Sequence, residues 1–534
     1  MAFKQEKKMN VIIFLTDQER ATQHFPENWE ADNLPGLTRL KKNGLTFNNA
    51  FTNSCMCSPA RSTFMTGYLP AQHGVKYTLE ESMTDPDKNP QVELPLPPDS
   101  PRDTDGIKLV NIATVMSAAG YNLVYKGKWH CSKPHNDSNG NWTPQDLSDY
   151  GFSRWNPKDA GADQSLDEAG GPGNDATYFA AWENDARFMD DEGDMEQGKE
   201  GVLAYLKYLK SEAAKQDDRP FCLIISLVNP HDVLFYMNDT FEDAGYNDEW
   251  LLGDIETPFT MNEDLGTKPD VQEKLLKLLN AGLGNLEPTA GQKNPDLKKR
   301  NYINFYGNLI KASDRYLVEV LDSLGEELLK ETLIIRTTDH GEMGLAHGGL
   351  RQKNFNFYEE SIRVPLVFSN PKLFKEPKTS DALVSHVDFL PTLANLFLPA
   401  ESALLNTNWQ GINYAKLIKG ESEDPVQDYI VFTYDDFQSG QSTGPYPGPP
   451  NYIVSIREKQ YKFAEYYDAG TPGKILDRRA DSQFEMYDLL NDPSEAINLA
   501  YEVDRLTENQ KNEYDRLKEN LEKVKKDLNI ITKD

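Results

Sequence analysis

Four short apolar runs, each ending abruptly in polar residues, constrain this chain more than any other feature. They are "NVIIFLT" before Asp17-Gln18, "YNLVYKGK" before Trp129-His130, "PFCLIISLV" before Asn229-Pro230-His231-Asp232, and "TLIIRTT" before Asp339-His340-Gly341. Continuous runs of this length, rich in Val, Ile and Leu, suit strands buried on both faces of a parallel sheet. Helical periodicity lies between them, most plainly over 299–324, where Ile303, Tyr306, Ile310, Tyr316, Val320 and Leu324 recur on one face. The alternation predicts an α/β fold built on a large, doubly wound, mostly parallel sheet flanked by helices. In such sheets ligands sit beyond the carboxyl ends of the strands, and all four runs place candidate ligands or acid/base groups there.

With 534 residues the chain is too long for one ordinary core. After about residue 410 the pattern becomes aromatic, partly alternating and rich in turns ("YIVFTYDD", "NYIVSIREKQYKFAEYYD", "FEMYDLLND"), which reads as a small antiparallel sheet. A charged amphipathic helix over about 507–528 closes the chain. The expected division is a catalytic domain over 1–420 and a smaller α+β subdomain over 421–534. Segments 84–106, 159–176 and 438–451, rich in Gly, Pro, Asp and Ser, read as loops or lids.

A net charge of -29 argues against general affinity for nucleic acid or anionic membranes, both of which call for spread basic charge. It leaves room for a small anionic substrate, because local cations outweigh distant charge that salt screens. Four cysteines, at 55, 57, 131 and 222, are too few for a disulfide scaffold and fit a reducing compartment. The apolar run Val11–Leu15 is too short for a signal peptide or a membrane span. The expected location is cytoplasmic, or periplasmic or secreted if the N-terminus is truncated.

In "NSCMCSPARSTFMTGYLPAQHGV" (53–75), Ser58 and Pro59 read as the N-cap and first residue of a short helix over 59–66, stopped by Gly67. Cys57 then lies just before the N-cap, where free N–H groups favour an anion, with Arg61 adding a cation from the first turn. A thiol there would have a lowered pKa and read as a nucleophile; a buried structural cysteine fits equally well.

Cys57-Ser58-Pro59-Ala60-Arg61 resembles the sulfatase signature C-x-P-x-R. "FLTDQ", "GKWH", "NPHD", "TTDHGEMGLAHG", "YEESIRVPLVF", "SHVDFLPTLANLF" and "FEMYDLLNDPSEAINLA" resemble further segments of that family, in its order, over most of residues 10–500. The resemblance implies an alkaline phosphatase-like fold and hydrolysis of a sulfate monoester. It also implies that Cys57 is converted by a separate formylglycine-generating enzyme to Cα-formylglycine, whose hydrated aldehyde is the nucleophile. Cys55, outside the signature, is expected to be a packing residue.

By the same resemblance, Asp17, Gln18, Asp339, His340 and the matured Cys57 would hold one divalent metal ion, calcium first, with manganese or magnesium as alternatives. The Asp-Gln with Asp-His pairing is more like the choline sulfatase and phosphonate monoester hydrolase branches. Asp339 would accept the proton of the attacking hydroxyl, and Arg61 and Lys128 would stabilise the nucleophile and the sulfuryl oxygens. His231 and Lys353 match positions that touch the ester oxygen and protonate the leaving alcohol, so Lys128, His231 and Lys353 bind substrate. His130 matches the base that releases sulfate by elimination. Arg351, two residues from Lys353, competes for its role.

His24, His135 and His386 read as structural, whereas His73 and His347 carry no assigned role. Trp155, Tyr178, Phe179, Trp182, Tyr236 and the loop at 443–450 are candidate pocket walls, although aromatic residues are more often core. The implied function is hydrolysis of an aryl or small alkyl sulfate. The alternatives are a phosphonate monoester or phosphodiester hydrolase, a choline or carbohydrate sulfatase, and a binder with unconverted cysteine. The expected partners are a small-molecule sulfate ester and the maturation enzyme, with a homo-oligomer possible.

Overall fold

The computed structural model describes residues 8–530, apart from 23, 80–91, 103–105, 134, 137–141, 144–145, 157–158, 160–180, 194–199, 212–216, 237–239, 244, 289–293, 295, 440–444 and 470–481. The four apolar runs form strands β1 (Asn10–Asp17), β4 (Asn122–Gly127), β5 (Phe221–Pro230) and β6 (Thr332–Thr338). They join β2 (Gly44–Phe51), β7 (Val367–Ser369) and β8 (Lys378–Ser385) in a seven-stranded sheet of order β8-β2-β7-β6-β1-β5-β4. The pairings β6·β1, β1·β5, β5·β4 and β8·β2 are parallel; only β7 runs antiparallel to its neighbours.

Period-two geometry explains why these runs show no polar alternation. Ile12 and Phe14 point to one face, with Leu223, Ile225 and Ile334, and pack on helix α3 (Leu297–Lys330) through Ile303, Tyr306, Ile310, Tyr316, Val320 and Leu324. Val11 and Ile13 point to the other face, with Cys222, Ile224 and Ile335, and meet Phe64, Ile112 of helix α2 (Ile112–Ala118), Phe389 and Leu390. With both faces covered, every side chain of β1 is buried. Each such aliphatic side chain contributes about 1.5–3 kcal/mol.

The smaller sheet comprises β9 (Tyr429–Tyr434), β10 (Tyr452–Glu458), β11 (Tyr461–Tyr467) and β12 (Gln483–Asp488), antiparallel as expected. It also takes in β3 (Ser54–Cys55), which pairs parallel to β9 immediately before Cys57. The closing helix α4 (Glu508–Asp527) is capped by Thr507 and packs Tyr514, Leu517, Leu521 and Val524 onto this sheet. Among the described residues no helix is long and apolar enough to cross a membrane.

Of the expected loops, 84–91, 103–105, 160–176 and 440–444 lie outside the described residues, as do Tyr178 and Phe179 and the side chain of Trp182. Trp155 and Tyr236 pack against the two main cores rather than standing free.

Candidate active site

Helix α1 (Cys57–Thr66) begins two residues earlier than its sequence suggests, with Met56 as N-cap and Cys57 as its first residue. Ser58 is not the cap: its Oγ accepts from the backbone N–H of Leu79 at 3.0 Å. Pro59 is tolerated at the third position because the first-turn N–H groups have no partner inside the helix in any case. Arg61 therefore falls in the second turn, and Gly67, at φ 71°, ends the helix as expected.

The expectation of an acidified thiol is overturned. Burial, and then the neighbouring Asp17 carboxylate, push the Cys57 thiol up to about 12, against the opposing influence of Lys353 and Lys128. Cys57 as it stands is a poor thiolate nucleophile. Cys55 is fully buried in the core beside it, as expected of a packing residue.

Strand ends β1 and β6 bring Asp17, Asp339 and His340 to Cys57. Its Sγ lies 3.1 Å from His340 Nε2 and 3.7 Å from Asp17 Oδ1. His340 Nδ1 faces the Gly341 carbonyl at 3.1 Å and burial lowers the ring's pKa, so Nδ1 donates and Nε2 presents a lone pair. That lone pair looks at Asp339 Oδ1 at 3.7 Å and Asp17 Oδ1 at 4.0 Å. Three acceptors converging in one buried place, two of them carboxylate oxygens, suit a hard divalent cation.

The outer oxygens of both carboxylates are held by cations. Arg61 donates from Nη2 to Asp17 Oδ2 and from Nε to Asp339 Oδ2, each at 2.9 Å, and from Nη1 to the Lys128 carbonyl and Ser226 Oγ. Lys128 Nζ lies 2.7 Å from Asp17 Oδ2. Burial alone would raise the Asp17 carboxyl, but Lys128, His231 and Arg61 together hold it well below the usual carboxylate range. Lys128 reaches this position because Gly127 turns β4 with φ 99°; a Cβ there would come within 1.9 Å of the Ser226 carbonyl.

Lys353 donates from Nζ to Gln18 Oε1 at 2.5 Å. Arg351 points elsewhere, to the carbonyls of Leu283 and Gly284 and to Asn280, which separates the two candidates. His231 follows β5, and its pKa is lowered by burial and by Lys128 and Lys353. His130 has its Nε2–H on the Leu79 carbonyl at 2.9 Å, leaving a buried Nδ1 with no hydrogen-bond partner among the described residues.

Several residues with no sequence signal complete the site. Asp159 accepts from the backbone N–H groups of Trp129 and His130, at 3.0 and 2.7 Å, and so holds His130 at φ 55°. Ser226 anchors Arg61. Glu342 stands in the quoted segment "TTDHGEMGLAHG", but nothing in its spacing singles it out.

Of the other histidines, the side chain of His135 lies outside the described residues, and His24, His73 and His386 are structural in their contacts. His73 bonds Thr63 and the Val75 N–H, His386 packs edge-on to Phe64, and His24 sits against Arg20. His347, Glu360 and Glu495 form a second group with the residue types of a metal site. However, His347 Nδ1 lies 2.8 Å from Glu263 and Nε2 lies 3.6 Å from Glu360, while Glu495 is paired with Lys462. Burial works against charge on His347, but the two glutamates raise it to about 9, so the group is an ion-paired imidazolium.

The mostly parallel sheet carries this acidic, histidine-bearing cluster at its carboxyl edge, an arrangement in keeping with the ester hydrolases of the alkaline phosphatase superfamily. The chain belongs to the sulfatase family, whose pattern matches residues 9–398; that of the C-terminal part of N-sulphoglucosamine sulphohydrolase matches residues 347–527. It is 26% identical to a choline-sulfatase of Rhizobium meliloti, over 92% of this chain and 84% of that one. It is 24% identical to an ulvan-active sulfatase of Formosa agariphila, over 91% and 78%. The solved structure of a 2-O GAG sulfatase superposes with a TM-score of 0.62 at 20% identity, covering 99% of this chain and 95% of that one. The protein is a sulfuric ester hydrolase.

Proposed function

We propose that the chain hydrolyses the sulfate monoester of an aliphatic alcohol, a sugar or a choline-like compound, using Cys57 matured to Cα-formylglycine as the nucleophile. The observation that carries this reading is the convergence of Cys57, Asp17, Asp339 and His340 in one buried cluster held by Arg61 and Lys128. The names of the choline and ulvan relatives favour an aliphatic alcohol over the aryl sulfate that the sequence left equally open. Lys353 favours it too, since an alkoxide leaves poorly without a proton.

Asp17, Asp339 and His340 would hold a divalent cation, calcium before manganese or magnesium, whose charge favours ionisation of a neighbouring hydroxyl; Gln18, expected among the ligands, has its amide oxygen on Lys353 Nζ instead. Asp339 accepts the proton of the attacking hydroxyl. Arg61 and Lys128 oppose the negative charge gathering on the sulfuryl oxygens. Lys353 and His231 contact the ester oxygen, and Lys353 supplies the proton to the alcohol. His130, kept neutral by burial and by Lys128, accepts the proton whose loss releases sulfate, through its unpartnered Nδ1. Catalysis belongs to residues 1–420, with 421–534 as a smaller subdomain.

Protein co-expressed with a formylglycine-generating enzyme should turn over choline sulfate or a sugar sulfate. No turnover on any sulfate ester, with formylglycine at position 57 confirmed by mass spectrometry, overturns the proposal. A phosphonate monoester is the second reading, favoured by the amide at Gln18 beside His340. A large preference for a phosphonate over a matched sulfate would establish it instead.

A further inference from the structure

We infer that Glu342 is a positioning residue: it sets the orientation of the Gln18 amide, and through it the placement of the Lys353 ammonium. This rests on the role of Lys353 proposed above.

Glu342 is fully buried. Its Oε1 collects three donors, Tyr302 Oη at 2.7 Å, the Gln352 N–H at 2.9 Å and the Gly344 N–H at 3.1 Å. Its Oε2 is left facing Gln18, whose Nε2 donates to it at 2.5 Å and also approaches Gln352 Oε1 at 3.3 Å. The other end of the same amide, Gln18 Oε1, accepts from Lys353 Nζ at 2.5 Å. Among the described residues Lys353, only 1% exposed, forms no ion pair; its side-chain contacts are the amide oxygens of Gln18 and Gln352.

An amide has one donating end and one accepting end, so its orientation is decided by what faces it. With the carboxylate of Glu342 on one side and the ammonium of Lys353 on the other, only one orientation of Gln18 avoids two like groups in contact. The reverse would set Nε2 against Nζ and Oε1 against a carboxylate oxygen. Glu342 thus lends its charge to Lys353 through a neutral amide, holding Nζ in one place while leaving its other N–H bonds for the ester oxygen.

The decisive test is Glu342→Gln, which preserves shape. Three donors already converge on the inner oxygen of residue 342, so the new amide must turn its oxygen to them and its NH2 to Gln18. Gln18 must then flip and present its own NH2 to Lys353. Adding Gln18→Glu restores an acceptor that faces both the amide at 342 and Lys353.

Matured protein should be assayed on aryl sulfates of graded leaving-group acidity and on one alkyl sulfate, with Lys353→Ala as reference and metal content followed by elemental mass spectrometry. Glu342→Gln should lower kcat by about 10²-fold on the alkyl sulfate and by less than about tenfold on the most acidic phenol, with metal content unchanged. The double variant should recover to within about tenfold of the parent. A uniform loss across all leaving groups, loss of the metal, or a double variant no better than Glu342→Gln overturns the inference. If Glu342→Gln does not fold, the double variant alone decides: parental leaving-group dependence supports the inference, and failure to fold overturns it. A uniform loss in Lys353→Ala would instead overturn the role given to Lys353.

Discussion

The guanidinium of Arg61 spans two carboxylates from different strands, donating through Nη2 to Asp17 and through Nε to Asp339, each at 2.9 Å. All three side chains are essentially fully buried. The ion pairs raise the already high pKa of Arg61 further despite burial, and the rigid fork fixes which oxygen of each acid turns towards Cys57.

Replacing Arg61 with Lys keeps the charge but loses the fork. We expect kcat/KM to fall by about 10²–10³-fold, together with a lower melting temperature because two buried carboxylates lose donors. Steady-state kinetics and a thermal melt on the same sample check both; a variant within about threefold of the parent would show that the fork is dispensable.

The two neighbouring cysteines should separate cleanly. Cys57→Ala should abolish turnover and leave the fold intact, since it removes the precursor of the proposed nucleophile. Cys55→Ala leaves a cavity between β3 and β9 and should cost about 1–2 kcal/mol of stability, read by denaturant unfolding, with turnover retained after maturation.

Chelation should remove activity reversibly. Calcium, manganese and magnesium added back singly should rank the ions, and His340→Ala should weaken the restoring ion by more than about tenfold, read as the concentration for half-maximal recovery. Full activity after exhaustive chelation, with no metal detected, would contradict the assignment of Asp17, Asp339 and His340.

His347 makes stability pH-dependent. Its pKa is about 9 in the fold against an ordinary 6.5, so folding binds a proton more tightly than the unfolded chain does. The contribution is fully present below pH 6.5 and is lost as pH rises through 9. Burial would raise its partner Glu360, but the His347 imidazolium outweighs that and lowers it to about 2, so the contribution of Glu360, complete above its ordinary 4.5, is lost as pH falls towards 2. Melting temperature should fall between pH 7 and 9.5, and His347→Gln should flatten that slope; an unchanged slope would place the transition elsewhere.

Much of the architecture was legible because its signals are local. β1, β4, β5 and β6 are read from runs of six to ten residues, since a strand buried on both faces needs no partner to reveal its composition. Helix α3 announces itself through a single apolar face, and the edge of the sheet collects Asp17, Lys128, His130, His231, Asp339 and His340 from the residues that end those runs. The start of α1 was misread by two residues, because Ser58 is an effective cap in isolation while in the fold its hydroxyl is taken by Leu79.

The sequence by itself determined the doubly wound sheet, the small antiparallel sheet and the set of residue types at the strand ends. Tertiary structure alone decided their chemistry. The Cys57 thiol is weakly acidic because burial and Asp17, forty residues away, oppose its ionisation. Lys353 rather than Arg351 reaches Gln18, and Gln18 is oriented by Glu342 across 324 residues of chain. Periodicity is a property of neighbours along the chain. Proton affinity and hydrogen-bond direction depend instead on which distant atoms the fold brings within about 3 Å and how completely it excludes water.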